Sequence, residues 1–374
     1  MYINLLLKRR ILFVSFFWIL TSVTCLSTSA RGQADSTKID SNAFAHTHKA
    51  SFTGTAYLEP YWAYDFNRPT SKDIPYLYNY SRHNEFNLNV ALFSGSYDDS
   101  EIRGAVAIQV GTYPMTNYAA EPSLFQHIYQ ASVGVYVTPD LCIDAGVFPS
   151  HLGIENALGK DQWTLTRSLV AENSPYFETG VHANYVNGPW LFCVLALNGW
   201  QNIRDLNSNK ALGTQIQYAA GILTLNSSTF FGNEKPDSTP RNRIFHDFYA
   251  IVALSPVVSI SGVFDLGWEQ TSPNGPYARW EGTSVIARFL LSSKFAIAAR
   301  GEYYYDPEQV IITTGTPNGY QTAGYSINFG YIISPQATFR IEGKYYSTKD
   351  ALFERSGVAV NNSTILTSAL AISF

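Results

Sequence analysis

The chain has 374 residues, 46% of them hydrophobic and 15% aromatic, but only 14% charged, with a formal net charge of −4. Average soluble chains carry about 25% charged residues, so an ordinary soluble domain is disfavoured, and the absence of a basic patch speaks against nucleic acid as a partner. After the N-terminus no run approaches the ~18 to 20 apolar residues that a membrane helix needs, which argues against a helical membrane protein.

The N-terminus reads as an export signal. Lys8, Arg9 and Arg10 form a basic region, Ile11 to Leu20 a short apolar core, and Gly32-Gln33-Ala34 a cleavage site. Ser22-Val23-Thr24 before Cys25 makes a poor lipobox, so a removable signal over 1–34 is expected. Removing it leaves 21 basic and 29 acidic residues, a formal charge of −8. Cys142 and Cys193 then remain, too few for a disulfide framework in an exported chain of this size. Residues 35–50 are polar and read as a flexible periplasmic leader, whose His46 and His48 are too few for a metal site.

From Ser51 onward the residues alternate with the period of β-strands. In the first strand Phe52, Gly54, Ala56, Leu58, Trp62, Tyr64 and Phe66 share one face, opposite Thr53, Thr55, Tyr57, Glu59, Tyr61 and Asp65. Phe86, Leu88, Val90 and Leu92 then oppose Asn87, Asn89 and Ala91, and Ile102 to Val110 opposes Arg103 and Gln109. Trp190 to Leu197 is apolar on both faces, and Ile244 to Leu254 mixes them. Clear alternation returns at Val258 to Glu269, Phe295 to Tyr304, Ala323 to Tyr331 and Ala337 to Tyr346.

Seven short turns are expected near Asp98-Asp99-Ser100, Pro139-Asp140, Asn187-Gly188-Pro189, Gly221, Ser255-Pro256, Ser292-Ser293 and Ser334-Pro335. Eight longer polar loops alternate with them, at 66–84, 112–127, 150–176, 199–210, 232–242, 271–277, 306–321 and 348–363. Each gap fits one strand of about ten residues, the length of a tilted membrane strand, so the series predicts sixteen strands in a single domain over 51–374. A propeller is the structural competitor, but no blade signature repeats along the chain.

A soluble sandwich buries its apolar face and has connections of similar length at both ends. An outer-membrane barrel turns that face to lipid, with short periplasmic turns and long extracellular loops. The asymmetric connections favour the barrel. So do aromatic residues near strand ends, such as Trp62, Tyr64, Phe66, Trp268, Tyr303 and Tyr305, which suit interfacial girdles. Closure would leave no unpaired strand edge in the bilayer. The chain stops on the alternating stretch Leu366 to Phe374, and an amphipathic last strand ending in Phe374 is similar to the signal that barrel-insertion machinery recognises.

The stretch TLTRSLVAENSPYFETGVHANY (Thr164 to Tyr185) leads from the third loop into a strand, and ALNGWQN (Ala196 to Asn202) closes the next one. With the export signal and the sixteen-strand layout, these resemble the outer-membrane β-barrel porins of Gram-negative bacteria, the OmpL-like group. The resemblance spans Ser51 to Phe374 and implies an all-β transmembrane antiparallel barrel, passive diffusion of small hydrophilic solutes and ions, and no catalytic residue or cofactor. It implies outer-membrane lipid and the insertion machinery as partners. Many porins of this size are homo-trimers, although no trimer face is legible here.

Function in such a barrel follows from pore radius and lining charge. The inward charged residues are expected to be Glu59, Arg103, Asp144, Glu178, His182, Asp265, Glu269, Arg300, Glu302, Arg340, Glu342 and Lys344. Neighbouring opposite charges, such as Arg300/Glu302 and Arg340/Glu342/Lys344, either set a field across a water-filled pore or pair and stiffen its wall. The third loop, with Glu155, Lys160, Asp161, Arg167 and Glu172, is expected to fold inward and narrow the pore. The net charge of −8 hints at cation preference, but total charge is a poor guide when the inward set is mixed. Two other classes compete: an adhesive or structural barrel that conducts nothing, and a barrel hydrolase. For the latter, His182 and Asn184 share a face but no serine motif marks a nucleophile.

Overall fold

Period-two alternation, interrupted by Gly, Pro, Asn, Asp and Ser, gives a chain that can satisfy its backbone only by pairing each strand with the next. The structure is a computed structural model that describes residues 50–374. The expected signal peptide and all but the last residue of the expected leader lie outside the described residues. The strands are β1 (Ser51–Asp65), β2 (Phe86–Asp98), β3 (Ile102–Val110), β4 (Ile128–Thr138), β5 (Leu141–Pro149), β6 (Phe177–Asn187), β7 (Trp190–Leu197), β8 (Ala211–Ala220) and β9 (Leu223–Asn233). They continue with β10 (Asn242–Ala253), β11 (Val258–Gln270), β12 (Tyr277–Leu290), β13 (Phe295–Asp306), β14 (Tyr320–Ser334), β15 (Ala337–Thr348), β16 (Phe353–Arg355), β17 (Val358–Val360) and β18 (Asn362–Ser373). Sixteen of them close into one antiparallel barrel in which β1 pairs with both β2 and β18, while β16 and β17 form a separate hairpin in the last long loop. The expected turns and loops fall between successive barrel strands to within two residues, and the last of them holds the β16–β17 hairpin.

Burial follows the alternation. On β15, Phe339 and Tyr345 are exposed on the outer wall, whereas Glu342 and Lys344 are buried inside. On β7, apolar on both faces, Trp190, Phe192 and Val194 point outward, while Cys193, Leu195 and Leu197 point inward. A polar inner set and an apolar outer set are what a bilayer selects, since a Lys or Arg on the lipid face at the midplane costs about 2–4 kcal/mol.

The expected face of β2 is correct only in part. Phe86 is exposed, but Val90 and Leu92 are buried on the inner side, and Phe93 takes the outer position. The cause is a β-bulge. Glu59 pairs with Val90 and the next residue, Pro60, pairs with Leu88, which leaves Asn89 as the extra residue. One inserted residue moves every later side chain to the opposite face. Pro60 sits at this bulge because it has no N–H to give to a regular ladder.

Clusters of aromatic rings mark both rims of the outer wall. Trp62, Tyr64 and Phe66 follow one another at 5.8 and 5.2 Å between centroids near the loop end of β1. Trp190 stacks with Phe192 at 6.0 Å and meets Tyr218 at 4.8 Å near the turn end.

Candidate functional site

The third loop, residues 150–176, crosses the barrel interior and bonds to inward side chains on several strands. It enters after β5 through His151, whose backbone N–H and Nδ1 reach the Glu178 carboxylate (Nδ1 to Oε2 2.9 Å) and whose Nε2 lies 2.8 Å from the Thr229 carbonyl oxygen. A short 3-10 turn at Gly159–Asp161 brings it against β1, where the Lys160 amide donates to the Tyr57 hydroxyl at 3.2 Å. Gly159 is needed there, because a Cβ would lie 2.0 Å from Glu59 Oε1 and 2.6 Å from the Tyr80 hydroxyl. The loop ends in a four-residue helix, α1 (Leu169–Glu172), capped by the Ser168 side chain, which accepts from the Ala171 amide.

The centre of the loop is fixed by charge. Glu342 on β15 accepts from the Thr166 amide at 2.6 Å and from its hydroxyl at 2.8 Å. Arg300 on β13 donates to Thr164 Oγ1 (2.8 Å), to the Thr166 carbonyl (2.7 Å) and to Glu342 (3.0 Å). Glu302 accepts from the Leu169 amide at 2.6 Å, and Lys344 bridges Glu302 (3.3 Å) to the Arg167 carbonyl (2.8 Å). All four wall residues are at most 5% exposed. Charges in so dry a place persist only with partners and hydrogen bonds, and here the loop's backbone supplies many of them.

Of the two alternatives for Arg340, Glu342 and Lys344, a field across a water-filled pore or pairing within the wall, the contacts are closer to the second, with the loop as an added partner. Glu342 and Lys344 face the loop, and Arg340 remains partly open to water while donating to the Gly159 and Lys160 carbonyls. Glu59 and Glu178 are likewise buried on the inner wall, with Asn89 Nδ2 2.9 Å from Glu59. Arg103, Asp144 and His182 form a separate chain across β3, β5 and β6, with His182 Nε2 3.1 Å from Asp144. Asp265 stands across from Asp247 on β10, and Glu269 pairs with Arg243 at 2.6 Å and Lys235 at 3.2 Å. Asp247, Arg243 and Lys235 were not anticipated: the segment 244–254 shows mixed faces, and its inner set includes Phe245, Tyr249 and Ile251 as well as Asp247.

The loop's own charged residues divide. Glu155 accepts from the Ser168 amide at 3.1 Å and lies 3.7 Å from Arg300. Arg167 is fully buried and folds back on its own loop, donating to the carbonyls of Asn156, Leu165 and Ala157. Glu172 accepts from the Tyr78 amide of the first loop at 3.1 Å, and burial pushes its carboxyl up to about 7. Lys160 reaches Ser373 Oγ at 2.6 Å, and Asp161 is exposed. The first loop also packs inward, burying Ile74, Leu77 and Tyr80, a contribution not anticipated from its polar composition. Its signal in the sequence is the aromatic run Tyr76-Leu77-Tyr78-Asn79-Tyr80.

The family profile described as "Putative beta-barrel porin-2, OmpL-like" matches residues 51–374, the whole barrel. The chain belongs to that family. It is an outer-membrane porin channel, and its barrel is similar to solved porin structures. The anion-selective porin from Comamonas acidovorans has a TM-score of 0.59 at 10% identity, covering 87% of this chain and 100% of that one. OmpT of Vibrio cholerae in its trimer form gives 0.57 at 10% identity, covering 87% and 99%, and the outer membrane channel DcaP of Acinetobacter baumannii gives 0.57 at 10%, covering 87% and 97%. At that identity the likeness is one of fold. No curated protein matches the sequence.

Proposed function

We propose that this porin passes small hydrophilic solutes and ions by passive diffusion, through a lumen that loop 150–176 narrows. The observation that carries the reading is the binding of Thr166 by Arg300 and Glu342, which holds the loop's centre against the wall opposite its entry after β5. In this reading the twelve inward charged residues and the five charged loop residues set the width and field of the passage, partly by holding the loop and partly by lining what remains open.

The decisive experiment is planar-bilayer conductance of the refolded chain and of a variant lacking 155–167. The variant is expected to conduct several-fold more than the parent, and equal single-channel steps would remove the constriction role. A correctly folded parent that passes no current at all would overturn passive diffusion itself. That outcome would favour a second reading, a barrel closed by its loop. The near-complete burial of Arg300, Glu302, Glu342 and Lys344 speaks for it.

Family and fold are those of a channel rather than an enzyme, and catalysis plays no part in the proposal. The trimer form of Vibrio cholerae OmpT supports a homo-trimer for this chain as well. Phe374 suits an insertion signal, being 72% exposed at the end of the last strand with its backbone bonded both ways to Ala56. An N-terminal export signal that is removed completes the route to the outer membrane.

A further inference from the structure

On the turn side of the loop the inner wall carries cations without carboxylate partners. Arg288 lies two residues before the turn end of β12, and Arg340 three residues after the turn end of β15. Lys160, on the loop, bonds at 2.6 Å to the hydroxyl of Ser373, the last residue of β18, and so lies near the same rim. Arg340 donates to two loop carbonyls, Lys160 to that hydroxyl, and the Arg288 guanidinium rests 6.0 Å from the Trp163 ring centre. Among the described residues, none of the three shares an ion pair with a carboxylate, and the charged group that acts on Arg288 is Arg340. All three remain partly open to water.

The inward acids are placed differently. Glu59, Glu178, Asp247, Asp265, Glu302 and Glu342 are at most 5% exposed. Asp144 is held by Arg103 and His182, and Asp98 at the strand end stands across from Arg103. Asp161 is exposed beside Lys160, and Glu101 and Asp140 are exposed in the turns at the rim, outside the inner wall that carries Arg288 and Arg340. The inner wall of this vestibule thus presents Arg288, Arg340 and Lys160 to water while its acids are buried or paired, although the chain as a whole is acidic.

We propose that this turn-side vestibule, centred on Arg288 and Arg340, selects for small anionic solutes. The inference rests on the porin reading. A narrow wet passage with low-dielectric walls focuses the field of its lining charges, and guanidinium groups match carboxylate and phosphate oxygens in pairs. Glu302 and Glu342 are paired with Lys344 and Arg300 behind the loop, whereas the buried Glu59 acts on Arg340 and subtracts from that field without reaching the water.

The test is the reversal potential of the refolded chain in planar bilayers under a potassium chloride gradient. The parent is expected to favour chloride several-fold over potassium, less so at high salt, where screening shortens the reach of the charges. Arg288→Glu, which removes no hydrogen bond to the loop, is expected to bring the ratio to unity or reverse it. Lys160→Gln is expected to lower it and serves as the second variant should the first fail to fold. A parent that conducts with potassium preferred overturns the anion proposal and leaves the porin reading standing. A chloride preference unchanged in both variants overturns the assignment to this vestibule. A folded parent without current removes the porin reading and the proposal with it.

Discussion

Arg300 is the residue on which the loop's position turns. Its guanidinium has hydrogen-bond partners on Thr164, Thr166 and Glu342 and lies 3.6 Å from Glu302 and 3.7 Å from Glu155, all in a fully buried setting. Removing one member of a buried ion network strands the others, typically at about 3–5 kcal/mol. Arg300→Ala is therefore expected to lower the temperature at which the heat-modifiable folded band is lost on gels, and to raise single-channel noise. The double change Arg300→Met with Glu342→Gln is expected to lose less than the sum of the single changes, because they share one interaction; strict additivity would refute that link. Two groups outside the strands give the loop a pH dependence. Burial works against charge at His151, but Glu178 and the Thr229 carbonyl outweigh it and the pKa is raised; at Glu172 burial pushes the carboxyl up to about 7. Both therefore bind protons more tightly in the folded loop than in the unfolded chain. For Glu172 stability falls as pH rises from the ordinary carboxylate range to about 7, and for His151 it falls as pH passes its raised value. Loop opening, read as larger or noisier conductance, is expected to increase between about pH 5 and 8, with the lower part of that rise absent in Glu172→Gln. A profile indifferent to pH in the parent would dismiss both groups as controls.

At the scale of elements, the hairpins follow their turns closely. Gly188 and Gly221 take positive φ in the tight connections after β6 and β8, where a side chain would be strained. The β2 bulge shows the limit of reading periodicity. An extra residue leaves the composition of a strand intact while changing which side each later residue faces, so Val90 and Leu92 read as lipid-facing and pack inside against Tyr57 and Leu158. Cys142 and Cys193 illustrate the opposite case. They lie on β5 and β7, and the register places Asn184 of β6 directly between them. Two strand spacings come to about 9–10 Å, beyond the ~7 Å Cα separation a disulfide can bridge. The chain is expected to run identically on gels with and without reductant after mild oxidation, and a reductant-sensitive intramolecular species would contradict the register.

For the whole molecule, closure is what turns a row of hairpins into a channel. β18 pairs with β1 through Tyr57–Ser373 to Asp65–Ile365, so the last of the described strands seals the first. The bilayer then requires nothing of the outer wall beyond apolar side chains, and the lumen is free to be filled by whatever the loops carry. The eight loops are not equivalent in this. The first and third turn inward and meet at Glu172 and Tyr78, while the last carries its own small hairpin with Phe353 set against Tyr76 and Tyr346.

The sequence by itself determined the strand number and the alternation of short turns and long loops, and it proposed part of the inward charged set, without Arg243, Asp247 and Arg288. Those features depend on neighbours along the chain and on a period of two, and both can be counted. Tertiary structure decided the rest. Whether Arg300, Glu342 and Lys344 meet water or meet a loop depends on contacts more than 130 residues apart in the chain, such as that between Arg300 and Thr166. The same packing hides most inward acids and leaves Arg288, Arg340 and Lys160 partly open to water, so the sign of the wet surface cannot be obtained by counting charges. Long-range electrostatics in a protein follows from which charges are desolvated and paired, and that is settled only when the loop has found its place against the wall.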